Sequence, residues 1–150
     1  MINNGRKTNE TIDINLKGAY LCSKEVAPIM LKQKEGKIIN IASISGLGEM
    51  TAVSNAPYAV SKAGMIGLTR SLAVNLGPYV NVNAICPGFT DTDMAMLTNP
   101  ERIKISIEES IMKRIAKPEE IANAALFLAS NDSDIMTGEI LTLAGGKGMR

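Results

Sequence analysis

The sequence predicts an α/β fold in which short parallel strands alternate with helices in a doubly wound sheet. Three short runs rich in β-branched and apolar residues predict strands: Lys37–Ala42, Val80–Ile85 and Ile140–Leu143. Helical patterns separate these runs, and helical crossovers between strands produce parallel, right-handed βαβ units. Ligands of such sheets bind beyond the carboxyl ends of the strands. A site is therefore expected where the loops Ser43–Asn55 and Cys86–Asn99 leave the sheet.

The first element is a long helix from Thr8 to about Lys34. Its apolar residues recur close to the 3.6-residue helical period, at Ile12, Leu16, Ala19, Tyr20, Val26, Ile29 and Met30. Pro28 lies inside this pattern and predicts a kink or a bent second half. Gly36 ends the pattern. The strand Lys37–Ala42 that follows is mostly apolar, as expected for a parallel strand covered on both faces.

A second helix is predicted from about Pro57 to Leu76. Pro57 suits the first helical turn, and Gly77-Pro78 ends the helix. The strand Val80–Ile85 comes next and closes in a turn at Cys86–Phe89.

Two more helices precede the last strand. The first covers about Pro100 to Met112 after a polar stretch, Thr90–Asn99. The second runs from Pro118 to Leu128, with proline at its first position and two glutamates in its first turn, where the helix end is positive. Gly145-Gly146 ends the strand Ile140–Leu143.

Composition excludes several classes of chemistry. The chain has 150 residues, a length typical of one domain. It contains no His, which excludes every triad, general base or metal ligand that depends on His. Cys22 and Cys86 suggest neither a zinc site nor a disulfide framework. A net charge of +1 gives no sign of a nucleic-acid partner. The sequence shows no signal peptide and no membrane span, so a cytoplasmic location without membrane contact is expected.

One cluster can perform acid/base chemistry without His. Tyr58 and Lys62 are four residues apart on a predicted helix, so they share one face. A cation beside a tyrosine favours the phenolate, which makes the pair a workable general acid/base. Ser43 follows the preceding strand and could hold a carbonyl or alkoxide oxygen nearby. A half-buried tyrosine beside a solvated lysine is the alternative interpretation of the same spacing.

The order of motifs around this cluster resembles the short-chain dehydrogenase/reductase family. The motifs are N-L-K-G at 15–18, N-I-A-S-I-S-G at 40–46, Y-A-V-S-K-A-G at 58–64, V-N-A-I-C-P-G-F-T-D-T at 82–92, R-I-A-K-P-E-E-I-A at 114–122, L-F-L-A-S at 126–130 and T-G-E-I-L-T-L-A-G-G at 137–146. The resemblance covers about residues 10–146 and is nearest in character to 3-oxoacyl-(acyl-carrier-protein) reductases. It implies the C-terminal half of a Rossmann-type doubly wound sheet, with about three strands, flanking helices and the first strands missing.

The resemblance implies catalytic roles for four residues. Tyr58 would exchange a proton with a carbonyl or secondary alcohol, and Ser43 would orient the substrate oxygen. Lys62 would stabilise the Tyr58 phenolate and bind the ribose of an NAD or NADP cofactor. Asn15 would hold a water that links Lys62 to solvent, and its alternative role is that of an ordinary polar residue in a bent helix.

The resemblance also implies a cofactor-binding set beyond Tyr58 and Lys62. Pro87 and Gly88 would line the nicotinamide, and Thr90 and Thr92 would contact the carboxamide and phosphates. The two threonines could instead be capping or turn hydroxyls. Three further apolar residues fall in a substrate lid or, alternatively, in the core: Met94, Met96 and Leu97. A homo-oligomer, dimer or tetramer, is implied through helices 8–34 and 57–76.

The departures from the family pattern concern the cofactor phosphates. The family opens with T-G-x-x-x-G-x-G, which places the pyrophosphate at a helix N-terminus, and this motif is not found here. Neither Gly46-Leu47-Gly48 nor the glycines at 145–148 replace it, and the residue that selects NAD or NADP is not found either. The residues 1–150 are therefore expected to form a single partial domain without the first ~90–100 residues of such a sheet, and the first strand is expected to have a bare edge.

Two functions remain open on the sequence. The first is an NAD(P)-dependent oxidoreductase that interconverts a small-molecule carbonyl and a secondary alcohol through Tyr58, Lys62 and Ser43. The second is a truncated, non-catalytic remnant that acts only as an association module, which the missing pyrophosphate motif favours.

Overall fold

The computed structural model of the chain describes residues 5–48, 56–93 and 100–147. The predicted lid residues Met94, Met96 and Leu97 lie outside these ranges, as do residues 49–55 of the predicted loop after the first strand. The described residues form a three-stranded parallel sheet with flanking helices, which confirms the predicted α/β class.

The first helical region contains an irregular turn that the prediction of one long helix did not include. Helix α1 covers Gly5–Ile12, a π-helical turn follows at Asp13–Lys17, and helix α2 covers Gly18–Gln33. Pro28, at which a kink or a bent second half is predicted, lies inside α2, and the helix continues through it. The π-helical turn inserts a residue into the helical repeat, and such turns are frequent at functional sites.

Strand β1 covers Gly36–Ile41, one residue earlier than predicted, and β2 covers Val80–Pro87. Strand β3 covers Ile140–Leu143, as predicted. The sheet order is β1-β2-β3, and both pairings are parallel. The carboxyl ends of all three strands therefore lie at the same end of the sheet, and the predicted site residues follow the strands there.

Strand β2 is the centre of the core, and its two faces are covered differently. Helix α3, which covers Ala56–Leu76, packs with α2 over one face. Two clusters of apolar side chains fill that interface: Ala42, Ile44, Met65, Ile66, Ala84 and Cys86, and Ala27, Ala73, Leu76, Val80 and Val82. Asn81 and Asn83 alternate with these residues and donate hydrogen bonds from the other face to the carbonyl of Met136.

Strand β1 is less buried than its apolar sequence predicts. Within the described residues it pairs only with β2, so it lies at an edge, as predicted. Only Asn40 is buried along the strand, and Ile41 is 45% exposed. Helices 18–33 and 118–129 both contact β1, so the expected cover of its two faces is partial, whereas β2 fits the expectation fully. An edge strand has neighbours on one side only, so its side chains retain contact with water.

The remaining helices are α4, Pro100–Glu109, and α5, Pro118–Ala129. Helix α4 ends three residues before the predicted end at Met112, and α5 agrees with the prediction to within one residue. Arg114 forms a two-pronged ion pair with Glu120, with both N···O distances 2.6 Å. Glu120 also accepts a hydrogen bond from the backbone N–H of Lys117, which caps α5. No helix among the described residues is long and apolar enough to cross a membrane.

The ion pair makes the acid stability of the chain testable. The hydrogen bonds from Arg114 lower the pKa of Glu120 from 4.5 to about 2, and the Lys117 N–H acts in the same direction. Because the folded state binds the proton less readily, the stabilisation is present above pH 4.5 and is lost as pH falls through about 2. We expect Glu120→Gln to flatten the fall in melting temperature over this range. The neighbouring Glu119→Gln is the control, and an equal change in both variants would contradict the assignment.

Candidate active site

Tyr58 and Lys62 lie one turn apart at the start of α3, as their spacing predicts. The Lys62 Nζ is 5.7 Å from the centre of the Tyr58 ring. It also donates a 2.7 Å hydrogen bond to the carbonyl oxygen of Ile41, the last residue of β1. The lysine side chain thus spans from the helix to the carboxyl end of the strand, and its cation is held beside the tyrosine.

The surroundings of Lys62 affect its charge. Burial lowers the pKa of Lys62 because its ammonium group loses hydration, and the neighbouring Cys86 acts in the opposite direction. Burial raises the pKa of the Cys86 thiol, while a backbone hydrogen bond from Ser43 and the charge of Lys62 lower it. Burial has the largest effect, so the pKa of Cys86 is raised and the residue is a neutral thiol at neutral pH.

Ser43 lies two residues beyond β1, as predicted, and begins a single 3₁₀ turn at Ile44–Leu47. Its Oγ accepts a 3.2 Å hydrogen bond from the backbone N–H of Ser45, so the side chain caps this turn. The residue is buried. Its hydroxyl is therefore held at the end of the sheet where the carboxyl ends of β1 and β2 lie.

Asn15 lies in the π-helical turn and contacts α3 through Ser61, a residue for which the sequence predicts no role. The Asn15 Nδ2 donates a 3.1 Å hydrogen bond to the Oγ of Ser61. The Ser61 hydroxyl donates a 2.7 Å bond to the carbonyl oxygen of Tyr58. Ser61 is fully buried. The only sequence signal for its role is a small hydroxyl residue between Tyr58 and Lys62, and nothing local identifies Asn15 as its partner.

Two glycines allow the site elements to approach each other. A Cβ atom at Gly46 would lie 2.6 Å from the carbonyl carbon of Lys62, so the 3₁₀ turn packs directly on the backbone of α3. A Cβ atom at Gly64 would lie 2.6 Å from the Cδ2 of Leu16 in the π-helical turn. Glycine at these two positions brings both Ser43 and Asn15 to the first turns of α3.

The loop after β2 holds the remaining predicted residues. Pro87 ends β2, and the backbone N–H of Gly88 bonds to the carbonyl of Leu143. A Cβ atom at Gly88 would lie 3.0 Å from Ala144, so this glycine permits close packing on the residue after β3. Thr90 donates a 3.3 Å bond to the Gly88 carbonyl, and Thr92 donates a 3.4 Å bond to the Thr90 carbonyl. These bonds fit the turn role that the sequence left open for both threonines.

The residues at the carboxyl ends of the strands fit the ribose of the NAD or NADP cofactor that the sequence implies. Lys62 has two N–H donors beyond the one used on Ile41, which suits a pair of neighbouring ribose hydroxyls. Gly46 and Gly145 both pack against protein rather than facing open space: Gly46 packs on α3, and a Cβ atom at Gly145 would lie 2.6 Å from Ser110. Among the described residues, no three His, Cys, Asp or Glu side chains cluster as metal ligands would.

Comparison with known proteins identifies relatives of this chain. Residues 3–147 match the family described as Enoyl-(Acyl carrier protein) reductase. The chain is 38% identical over 136 residues to a 3-oxoacyl-(acyl-carrier-protein) reductase of Thermotoga maritima, covering 90% of this chain and 54% of that protein. It is 41% identical over 139 residues to the reductase of the same name from Aquifex aeolicus, covering 91% and 55%.

Solved structures give the same result. A 3-oxoacyl-(acyl-carrier-protein) reductase from Brucella melitensis with bound NAD superposes with a TM-score of 0.88 at 32% identity, covering 99% of this chain and 54% of that one. The chain spans about half the length of the relatives it matches. Its motifs, its parallel sheet and these relatives show that the chain belongs to the short-chain dehydrogenase/reductase family of oxidoreductases, among the 3-oxoacyl-(acyl-carrier-protein) reductase-like members.

Proposed function

We propose that this chain carries the proton-transfer centre of an NAD(P)-dependent oxidoreductase that interconverts a carbonyl and a secondary alcohol. The observation that carries the proposal is the position of Lys62, bonded to the end of β1 with its cation 5.7 Å from the Tyr58 ring. A 3-oxoacyl thioester is the substrate class we favour, because the relatives from Thermotoga maritima and Aquifex aeolicus are named for it.

A reduced nicotinamide held beside Tyr58 and Lys62 would supply the hydride for the carbonyl carbon. Tyr58 donates its phenolic proton to the carbonyl oxygen, which becomes the alcohol, and takes a proton back in the oxidative direction. The Lys62 ammonium stabilises the resulting phenolate and donates to the ribose hydroxyls. Asn15 holds a water that returns a proton to this pair.

Ser43 is suited to bind the substrate oxygen. Its Oγ already accepts a bond from the N–H of Ser45, so the hydroxyl proton points elsewhere. We propose that this proton is donated to the substrate oxygen, which places that oxygen beside Tyr58. We further propose that four residues of the loop after β2 line the nicotinamide half of the cofactor: Pro87, Gly88, Thr90 and Thr92.

Lys62 gives the first test of this function, by its effect on cofactor binding. We expect Lys62→Met to weaken NADH and NADPH binding by about tenfold, since a charged hydrogen bond contributes about 1.5 kcal/mol or more. Because burial lowers the pKa of Lys62, binding by the parent should weaken as pH rises towards 10.5, and the variant should lack this decline. Fluorescence titration of each reduced cofactor measures both effects.

Lys24→Met, which changes an exposed lysine of α2, is the matched control for this titration and should bind as the parent does. Equal binding by Lys62→Met and the parent would remove Lys62 from the cofactor site. A parent chain that binds neither cofactor would contradict the proposed function itself.

A second candidate function is association without catalysis. Large apolar side chains are exposed on the first helical region and on α3: Ile14, Tyr20, Leu21, Val60 and Val74. Exposed apolar surface of this kind is typical of interfaces. Whether or not the chain is catalytic, we propose that these helices mediate a homo-oligomer, either a dimer or a tetramer. We also propose that the chain forms a single partial domain. Oligomers that bind neither reduced cofactor in the same titration would favour this candidate.

A further inference from the structure

The Ser61 hydroxyl lies between the π-helical turn and the first turn of α3, fully shielded from water. It is in contact with Tyr58 on its own helix and with Asn15 across the interface, at 2.7 Å and 3.1 Å. It touches no atom to which the proposed function assigns substrate or cofactor. Its position between two proposed catalytic residues is what requires an explanation.

The directions of these two hydrogen bonds are fixed by chemistry. The Tyr58 carbonyl can only accept, so the single hydroxyl proton of Ser61 is committed to it. The Ser61 Oγ must then accept from its second partner, and only the NH₂ group of the Asn15 amide can donate. Ser61 thereby fixes which end of the carboxamide faces α3, with the amide oxygen of Asn15 turned away.

The link also fixes the position of one helix against the other. Asn15 belongs to a π-helical turn, where the helical repeat is irregular, and Gly64 lets Leu16 of the same turn reach α3. The hydrogen bond joins residues 46 positions apart in sequence. It ends on the backbone of Tyr58, so a shift of the turn would be passed to the residue that transfers the proton.

We propose that Ser61 is a positioning residue that orients the Asn15 carboxamide and holds the π-helical turn against the first turn of α3. The catalytic consequence rests on the proposed function. Loss of the hydroxyl should lower kcat by roughly tenfold to a hundredfold, because small displacements of catalytic groups are costly. The KM values should stay within about twofold, because Ser61 contacts neither substrate nor cofactor.

The experiment combines Ser61→Ala, Asn15→Ala and the double variant, measured by urea unfolding and by reduction of acetoacetyl coenzyme A with NADPH. If the two residues act through one bond, the double variant should unfold at the same urea concentration as Ser61→Ala, and its kcat should be no lower than that of the more impaired single variant. Additive losses in unfolding would overturn the proposal, whether or not the chain turns over. Ser61→Cys replaces the hydroxyl by a weaker donor of similar size. Its unfolding midpoint in urea and its kcat should therefore lie between those of the parent and of Ser61→Ala.

Two further variants separate positioning from simple packing. Ser23→Ala removes another buried hydroxyl, which bonds to the Ala19 carbonyl within α2 at 2.8 Å, and should leave kcat unchanged. An equal kcat for Ser61→Ala and Ser23→Ala would show that Ser61 is only structural and overturn the proposal. Asn15→Asp cannot donate to Ser61, so it should unfold as Asn15→Ala does. Parent-like unfolding of Asn15→Asp would overturn the inferred amide orientation.

Failure of the proposed function gives a different pattern. If Tyr58→Phe and the parent reduce the substrate equally, the proton-transfer assignment is wrong while the unfolding measurements still test the link between Asn15 and Ser61. If the parent turns over, Tyr58→Phe does not, and Ser61→Ala keeps the parent kcat, the proposed function stands and the positioning role is overturned. A coupled pair in a chain without turnover would also overturn the positioning role, because no catalytic step would depend on it.

Discussion

Tyr58→Phe should lower turnover by about a hundredfold or more. General acid/base groups typically contribute 10²–10⁴-fold to rate, and phenylalanine cannot supply a proton. The substitution keeps the aromatic ring that lies 5.7 Å from the Lys62 Nζ, so packing in the first turn of α3 should change little. The measurement is the loss of reduced-nicotinamide absorbance with acetoacetyl coenzyme A as substrate, using NADH and NADPH separately.

Tyr79 provides the matched control for this experiment. Its ring also lies near a lysine, with the Lys34 Nζ 5.8 Å from the ring centre. It immediately precedes β2, however, at the opposite end of the strand from Ser43 and Lys62. Tyr79→Phe should therefore keep the parent rate. If Tyr58→Phe retained more than half of the parent turnover, Tyr58 would not be the proton donor.

Gly46→Ala should destabilise the fold. The added methyl carbon would lie 2.6 Å from the Lys62 carbonyl carbon and 2.7 Å from the Ala63 nitrogen. Both contacts are with backbone, so the 3₁₀ turn or helix α3 must move. Overpacking of this kind typically costs 1–3 kcal/mol. We expect a loss of about that size in the free energy of unfolding, measured in urea.

Gly67→Ala is the control with the opposite expected sign. Gly67 lies on α3, and apart from the neighbouring backbone of its own helix a Cβ atom there would meet nothing within 4 Å. Replacing a glycine in the middle of a helix by alanine stabilises proteins by roughly 0.5–1 kcal/mol. The opposed signs test the packing assigned to Gly46. If Gly46→Ala were as stable as the parent, the turn that carries Ser43 would not be seated on α3 as described.

Local patterns predicted most of the helices and strands to within a few residues. Pro57 and Gly77-Pro78 bounded α3 correctly, and the apolar run at Ile140–Leu143 is β3 as predicted. These agreements rest on backbone rules that act over a few residues: proline in a first helical turn, glycine and proline after a last one, and β-branched residues in strands.

The differences from the predictions concern features that depend on neighbours distant in sequence. The prediction of one long first helix did not include the irregular turn at Asp13–Lys17, where Leu16 packs against Gly64. The apolar sequence of β1 predicted burial on both faces, whereas an edge strand in the described part of the sheet keeps Ile41 45% exposed. Burial depends on which elements pack against a strand, which its own residues do not specify.

The candidate site divides in the same way. That Tyr58 and Lys62 share a helix face and that Ser43 follows a strand was predictable from the sequence alone, because a spacing of four and a strand end are local properties. Two contacts became visible only in the folded chain: Gly46 lets the Ser43 turn pack on α3, and Ser61 joins Asn15 to Tyr58. These contacts depend on how closely two elements approach. That distance is set by packing across the whole interface and leaves no periodic signal in the sequence.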